Sequence, residues 1–141
     1  MATVTAIASA VAARLNAAAF TQPLTAEVVF RPIFDLKNLR DLKVSVVPLA
    51  VSLAVAGRGA LRRQVQVDIG IQRRLADESE IGALLDLVEE VTQCFGIGGR
   101  LPDCAEAVCT GIENEPVYAP EHIEQYRQFT SVVTLTFEVV R

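Results

Sequence analysis

The chain has 141 residues, of which 51% are hydrophobic and 21% charged, and its formal net charge is −4 at pH 7. This length and composition suit one folded domain over residues 1–141 and argue against a disordered chain. The acidic balance, with a sequence pI of about 5.0, lacks the wide basic surface typical of sequence-specific nucleic-acid-binding proteins. The three cysteines are an odd number, which favours reduced thiols in a cytoplasmic setting.

The first predicted element is a helix over residues 3–18 that packs against protein. Thr3 can cap this helix, and Pro23 prevents it from continuing. The first basic residue is Arg14, so the segment lacks the basic start of a secretion signal. No segment of the chain is both long enough and apolar enough to be a membrane span. The apolar positions of the helix follow a helical period: Val4, Ile7, Ala8, Val11, Leu15 and Ala18.

Two strands are predicted next. Residues 25–34 form the first, and Pro32, which has no backbone donor, places it at a sheet edge or ends it. Residues 35–42 predict a single turn. A second strand begins at Lys43 and is interrupted by Pro48, after which the chain stays apolar and compatible with a strand.

The clearest strand covers residues 61–74, where branched apolar residues alternate with polar ones. Side chains on a strand point to opposite faces with period two, so this strand needs a covering layer on one face only. With the stretch before it, and the tip Gly57-Arg58-Gly59, it forms a long hairpin. The outer part of the hairpin has little alternation, so we expect it to project and to be covered by a partner. The alternating apolar row is Val65, Val67, Ile69 and Ile71.

A second amphipathic helix is predicted over residues 77–95, with Asp77 and Glu80 as a capping box. Residues 104–112 predict a weaker fourth strand, and residues 113–128 a connector with a short helical turn from Glu121. The apolar stripe of the helix is Ile81, Leu84, Leu85, Val88, Val91 and Phe95.

The last predicted strand covers residues 130–140, with Val133, Leu135, Phe137 and Val139 on one face. The predicted fold is therefore α+β: a small, mostly antiparallel sheet of about five strands, covered on one face by two helices. The predicted order is α-β-β-β-α-β-β, with an extended hairpin.

Three patterns could suggest chemistry, and each favours a structural interpretation. The glycine-rich run at residues 96–100 follows a helix, whereas a phosphate-binding loop precedes one. The soft ligands Cys94, Cys104, Cys109 and His122 include no Cys-x-x-Cys pair, which disfavours a zinc site. The single histidine lies in a charged, turn-like run, which disfavours a cysteine–histidine nucleophile. The carboxylates Glu113, Glu115, Glu121 and Glu124 lack the spacing of a calcium loop. We predict no catalytic, cofactor-binding or metal-binding residues, and no enzyme activity.

Two segments are candidate interfaces instead. Residues 48–61, with the neighbouring arginines, form the hairpin that should contact another subunit. Residues 113–126 contain two prolines and aromatic residues, a composition suited to a docking surface, with packing on its own domain as the alternative. The candidate interface residues are Arg58, Arg62, Arg63, Glu115, Tyr118 and Tyr126.

Three sequence segments resemble a family of small proteins encoded among the head and tail genes of tailed bacteriophages. They are residues 112–122 (IENEPVYAPEH), residues 128–137 (QFTSVVTLTF) and residues 34–48 (FDLKNLRDLKVSVVP). The element order is also similar to that of the tail terminator fold.

The resemblance implies a structural virion protein, assembled in the host cytoplasm, that forms a homohexameric ring at the head-proximal end of the tail. Such a ring ends polymerisation of the tail tube protein and joins the tail to the neck, connector or stopper protein. DNA passes through the lumen without being read, and no cofactor or membrane is involved. The alternatives are another neck component, such as a head-completion or stopper protein, and a small cytoplasmic enzyme or binding domain.

Overall fold

The computed structural model of the chain describes residues 4–20, 22, 24–30, 42–75, 77–101, 104–115, 118 and 120–140. No helix within these ranges has the length and hydropathy needed to cross a bilayer. The elements in chain order are α1 (Val4–Ala17), β1 (Ala26–Val28), β2 (Lys43–Gly57), β3 (Ala60–Arg74), α2 (Glu80–Cys94), β4 (Arg100–Leu101), β5 (Cys104–Asn114), α3 (Pro120–Tyr126) and β6 (Gln128–Val140).

The strands form one six-stranded mixed sheet in the order β1-β2-β3-β6-β5-β4. β1 pairs with β2 in parallel, and the other neighbouring strands pair antiparallel. The predicted fold, with about five mostly antiparallel strands in the order α-β-β-β-α-β-β, is therefore wrong. It omitted the two-residue strand β4 and did not foresee the parallel pair, whereas the short helical turn predicted from Glu121 is present as α3. A two-residue strand carries no periodic pattern, and parallel pairing depends on a crossover rather than on alternation.

The centre of the sheet is the β3–β6 pair, which confirms the apolar rows predicted for these two strands. Val65 lies opposite Phe137, and Ile69 lies opposite Val133. These four side chains are buried, and their row faces the layer formed by α1 and α2. The helices contribute Ile7, Val11 and Leu15 from α1 and Leu84, Leu87, Val88 and Val91 from α2 to the same core.

The start of α2 differs from the prediction. The N-cap residue is Ser79, which makes no side-chain capping hydrogen bond, so the predicted Asp77–Glu80 capping box is wrong. The Oδ1 atom of Asp77 instead accepts a hydrogen bond from the backbone amide of Ser79 at 3.3 Å. This is the local turn that Asp side chains favour ahead of a helix.

The interruption of β2 predicted at Pro48 is a bulge, and the strand continues beyond it to Gly57. Pro48 pairs with Val67 and Ala50 pairs with Gln66, so Leu49 is the extra residue. A bulge accommodates proline because it removes the requirement for regular ladder hydrogen bonds at that point.

Some predictions fall partly or wholly outside the described residues. These are the cap at Thr3, the break at Pro23, Pro32, and residues 35–41 of the predicted turn. Within the described part, the predicted first strand reduces to Ala26–Val28, and it lies at an edge of the sheet, as predicted.

Candidate functional site: the projecting hairpin

The most unusual surface is the outer half of the β2–β3 hairpin, residues 49–61, here called the hairpin arm. Its large apolar side chains are exposed: Val51 by 42%, Leu53 by 65%, Val55 by 79% and Leu61 by 53%. They form one row, because Val51 pairs with Val65, Leu53 with Arg63 and Val55 with Leu61. The row extends the core face of the sheet beyond the helical layer.

The free edge of β2 adds to this surface. β1 pairs only with Val44, Ser45 and Val46 of β2, and the amide of Val29 donates one further bond to the Val46 carbonyl at 3.0 Å. Beyond that point no described strand lies on this side of β2. Residues 49–57 also contain no charge and no proline, the two devices that usually protect a sheet edge from pairing with another chain.

The three arginines of the hairpin do not form one patch. Arg62 and Arg63 are consecutive on β3, so their side chains point to opposite faces of the sheet. The Nε atom of Arg62 lies 2.9 Å from Oε1 of Glu138 on β6, on the face away from the helices. Arg63 lies on the face of the apolar row, opposite Leu53.

Arg58 lies at the tip of the arm and is exposed. The next residue, Gly59, has a φ of 67°, in the left-handed region that favours glycine, and this allows the chain to reverse direction there. Arg58 is therefore the arginine best placed to contact another molecule.

The residues of the second candidate segment, 113–126, differ in their exposure and in the element to which they belong. Glu113 still belongs to β5, and Glu115 is exposed with its backbone amide bonded to the Val132 carbonyl at 3.0 Å. Tyr118 is 40% exposed. For Tyr126 in α3 only the backbone is described, so its predicted role stays untested. Phe129, the next aromatic residue along the chain, is fully buried in the core and cannot contribute to docking.

The cysteines show no arrangement suited to catalysis. Cys104 and Cys109 are buried, Cys94 is partly buried, and all three are free thiols. Burial raises the pKa of each thiol above its ordinary value, which keeps it protonated and weakly nucleophilic at neutral pH. Among the described side chains, which exclude His122, no three potential metal ligands lie together.

The glycine-rich run after α2 bonds to the sheet. The amide of Gly98 donates to the Cys109 carbonyl at 2.7 Å, and the Cys109 amide donates to the Gly99 carbonyl at 2.9 Å. These backbone groups are occupied by β5, and the run follows α2 rather than leading into a helix. It therefore lacks the geometry that phosphate binding requires.

A cleft of about 370 Å³ lies between the β3–α2 connection and α3. Its lining side chains combine carboxylates, one guanidinium and aliphatic groups, and none of them is a nucleophile. Its lining residues are Leu75, Asp77, Glu78, Ile123, Glu124 and Arg127. Of the four predicted loop carboxylates, only Glu124 reaches this cleft.

Two features of the hairpin region could not be found from the sequence. The ion pair of Arg62 with Glu138 depends on the β3–β6 register, which places these side chains diagonally on one face. The free edge of β2 depends on where β1 ends. Residues 49–57 give no signal for it, because edge strands usually carry a charge or a proline and this stretch carries neither.

No protein-family model and no curated protein matches this chain. The hairpin arm, rather than a relative, is therefore the starting point for a function.

Proposed function

We propose that this chain is a structural protein of a tailed bacteriophage that closes into a ring, expected to be hexameric, at the head-proximal end of the tail. In this role it terminates growth of the tail tube and joins the tail to the neck, without catalysing a reaction. The observation that carries the proposal is the exposed apolar row that the hairpin arm presents on the core face of the sheet.

The size of the exposed row supports assembly. Full burial of a Val or Leu side chain contributes about 1.5–3 kcal/mol relative to full exposure. When this contribution is summed over the row and reduced for the area that is already buried, the total is comparable with the cost of association. That cost, in lost translational and rotational freedom, is roughly 4–15 kcal/mol. The arm alone can therefore supply a large part of the free energy needed to join subunits.

The resemblance supports the particular assembly. Its segments include the end of β5, the first residues of α3, most of β6 and the first six residues of β2. The arm belongs to the β2–β3 hairpin, whereas the exposed residue Glu115 directly follows β5, and β6 lies between β3 and β5 in the sheet. Two separate surfaces suit a ring that contacts neighbouring subunits and also a tube or neck protein. The acidic composition suits a lumen through which DNA passes without being bound.

The proposal is tested with Val55→Asp, which places a charge in the apolar row, and with Ser52→Asp as the control. Ser52 is also exposed on β2 but pairs with Gln64, on the opposite face. We expect the wild type and Ser52→Asp to assemble with rising concentration in sedimentation velocity and to appear as rings in negative stain. Val55→Asp should remain folded and monomeric.

The role at the tail is tested by adding each protein to purified tail tubes and imaging tube ends. Wild type and Ser52→Asp should occupy one end of each tube and prevent further growth, and Val55→Asp should not. Binding to a portal–adaptor complex without binding to tubes would favour the stopper role instead. A wild type that stays monomeric at high concentration and leaves tube ends bare would refute the proposal.

A further inference from the structure

We infer that the hairpin arm of one copy docks on the exposed side of α2 in a second copy of this chain, with Arg58 against the acidic residues of that helix. The inference rests on the proposed ring function and names the surface that receives the arm.

The arm requires an apolar partner surface. Val51, Leu53 and Val55 extend the same face of the sheet that α1 and α2 cover further along β2 and β3. Because a helix is the layer that covers this face within the chain, a helix of another copy is the matching cover for its continuation. Nine residues of β2, from Leu49 to Gly57, extend over about 26 Å at the usual strand rise. The 15 residues of α2 extend over about 21 Å at the rise of an α-helix, so the two elements are similar in length.

Charge and length together identify α2 as the receiving helix, because α1 contains no acidic residue and α3 has only seven residues. The tip from Gly57 to Arg63 carries three arginines and no acidic residue. The segment Glu80–Cys94 carries four carboxylates and no basic residue, and Asp86 and Glu89 are exposed. Opposite charges on two surfaces of identical copies attract one copy to the next and set their relative orientation. α1 contains no acidic residue and so offers no counter-charge to the tip.

The same helix also offers apolar area beside its charges. Ile81 and Leu85 are one turn apart and only partly buried, and Ala83 is exposed. An apolar strip flanked by carboxylates complements an apolar row that ends in an arginine.

The contact joins different surfaces on the two copies. Such a heterologous contact does not close into a two-fold dimer. It repeats from subunit to subunit, and it ends in a ring when the rotation between neighbours closes. This is the kind of contact that the proposed ring needs.

The test is a charge swap between the two surfaces. Arg58→Glu alone, and Asp86→Lys with Glu89→Lys, should each weaken self-association by about tenfold or more, the effect expected from reversing one close charge pair. A chain with all three substitutions should regain assembly close to that of wild type. An equimolar mixture of the two weakened proteins should also assemble, because each tip then finds an opposite charge on the other protein. Arg74→Glu reverses an exposed arginine at the far end of β3 and should have little effect.

Sedimentation velocity gives the association constants, and thermal unfolding by circular dichroism verifies that each variant is folded. The inference is overturned if the α2 variant assembles as well as wild type, or if the combined variant and the mixture fail to regain assembly. If the α2 variant caps tail tubes normally while Arg58→Glu does not, the arm binds the tube protein and the inference fails while the proposed function stands. If the swap behaves as expected but tubes stay uncapped, the proposed function fails and the inference stands.

Discussion

Val51 and Val65 lie directly opposite each other across the β2–β3 ladder, yet Val51 is 42% exposed and Val65 is fully buried. β3 has a strand on each side at this position, whereas β2 has lost its neighbour β1 beyond Val46. The helices therefore cover the sheet at Val65 but not at Val51, its partner across the ladder. Further along the hairpin, the apolar face of the sheet continues, and the described part of the chain leaves it exposed.

This difference predicts unequal costs for the same substitution. Val65→Ala removes two methyl groups from a closed core and should lower the free energy of unfolding by about 2 kcal/mol or more. Val51→Ala should change it by less than about 1 kcal/mol, because much of that side chain is already in water. Urea unfolding at low protein concentration, where self-association is minimal, measures both values. Equal losses would contradict the account of where the cover ends.

Asn16 should be important for holding β1 in the sheet. Its Nδ2 atom donates to the Ala26 carbonyl at 2.9 Å, and its Oδ1 atom accepts from the Ala26 amide at 2.8 Å. Asn16→Ala leaves both backbone groups of a buried residue without this partner, at a cost of about 1–3 kcal/mol. Ser9→Ala, on the exposed side of the same helix, should be neutral or slightly stabilising, since alanine favours helices. A similar melting temperature for both variants would show that Asn16 does not anchor β1.

The ion pair between Arg62 and Glu138 should contribute little to stability. The side chains are 51% and 25% exposed, so solvent screens their attraction. A double-mutant cycle with Arg62→Gln and Glu138→Gln should give a coupling energy of about 0.2–1 kcal/mol, which decreases when salt is added. A coupling well above this range, or one insensitive to salt, would indicate a more enclosed pair.

The buried thiols predict a loss of stability at high pH. Burial raises the pKa of Cys109 in the folded chain above its ordinary value of 9.0, so the folded state holds this proton more tightly than the unfolded state. The resulting stabilisation is complete below the unfolded pKa and is lost as pH rises through the folded pKa. Between neutral pH and a pH about one unit above the ordinary thiol pKa, the free energy of unfolding should therefore decrease more for wild type than for Cys109→Ala. Parallel losses in the two proteins would argue against a raised pKa.

The sequence predicted the elements that have strong periodicity. The alternating rows of β3 and β6 and the apolar stripes of α1 and α2 are set by burial of one face, and this leaves a regular pattern in the chain. The exposure of the arm was also foreseen, because residues 49–57 are apolar without alternation.

The features that the sequence did not predict depend on contacts between distant residues. β1 joins β2 in parallel, and β4 is formed by Arg100 and Leu101 alone, so neither has a pattern that could reveal its partner. The hairpin arginines looked like one cluster in the sequence, but strand geometry separates Arg62 from Arg63. The cap of α2 moved to Ser79 because Asp77 bonds within its own turn.

The bulge at Leu49 determines the chemistry of the arm. With the pairing that holds from Val44 to Pro48, Ala50 would pair with Val65, and the row of Ala50, Ser52 and Ala54 would continue the core face. The extra residue shifts the pairing by one, and the bulky row takes that face instead. Deleting Leu49 would remove only the unpaired residue, so β2 would lose its bulge while Val51, Leu53 and Val55 kept the face that they occupy now.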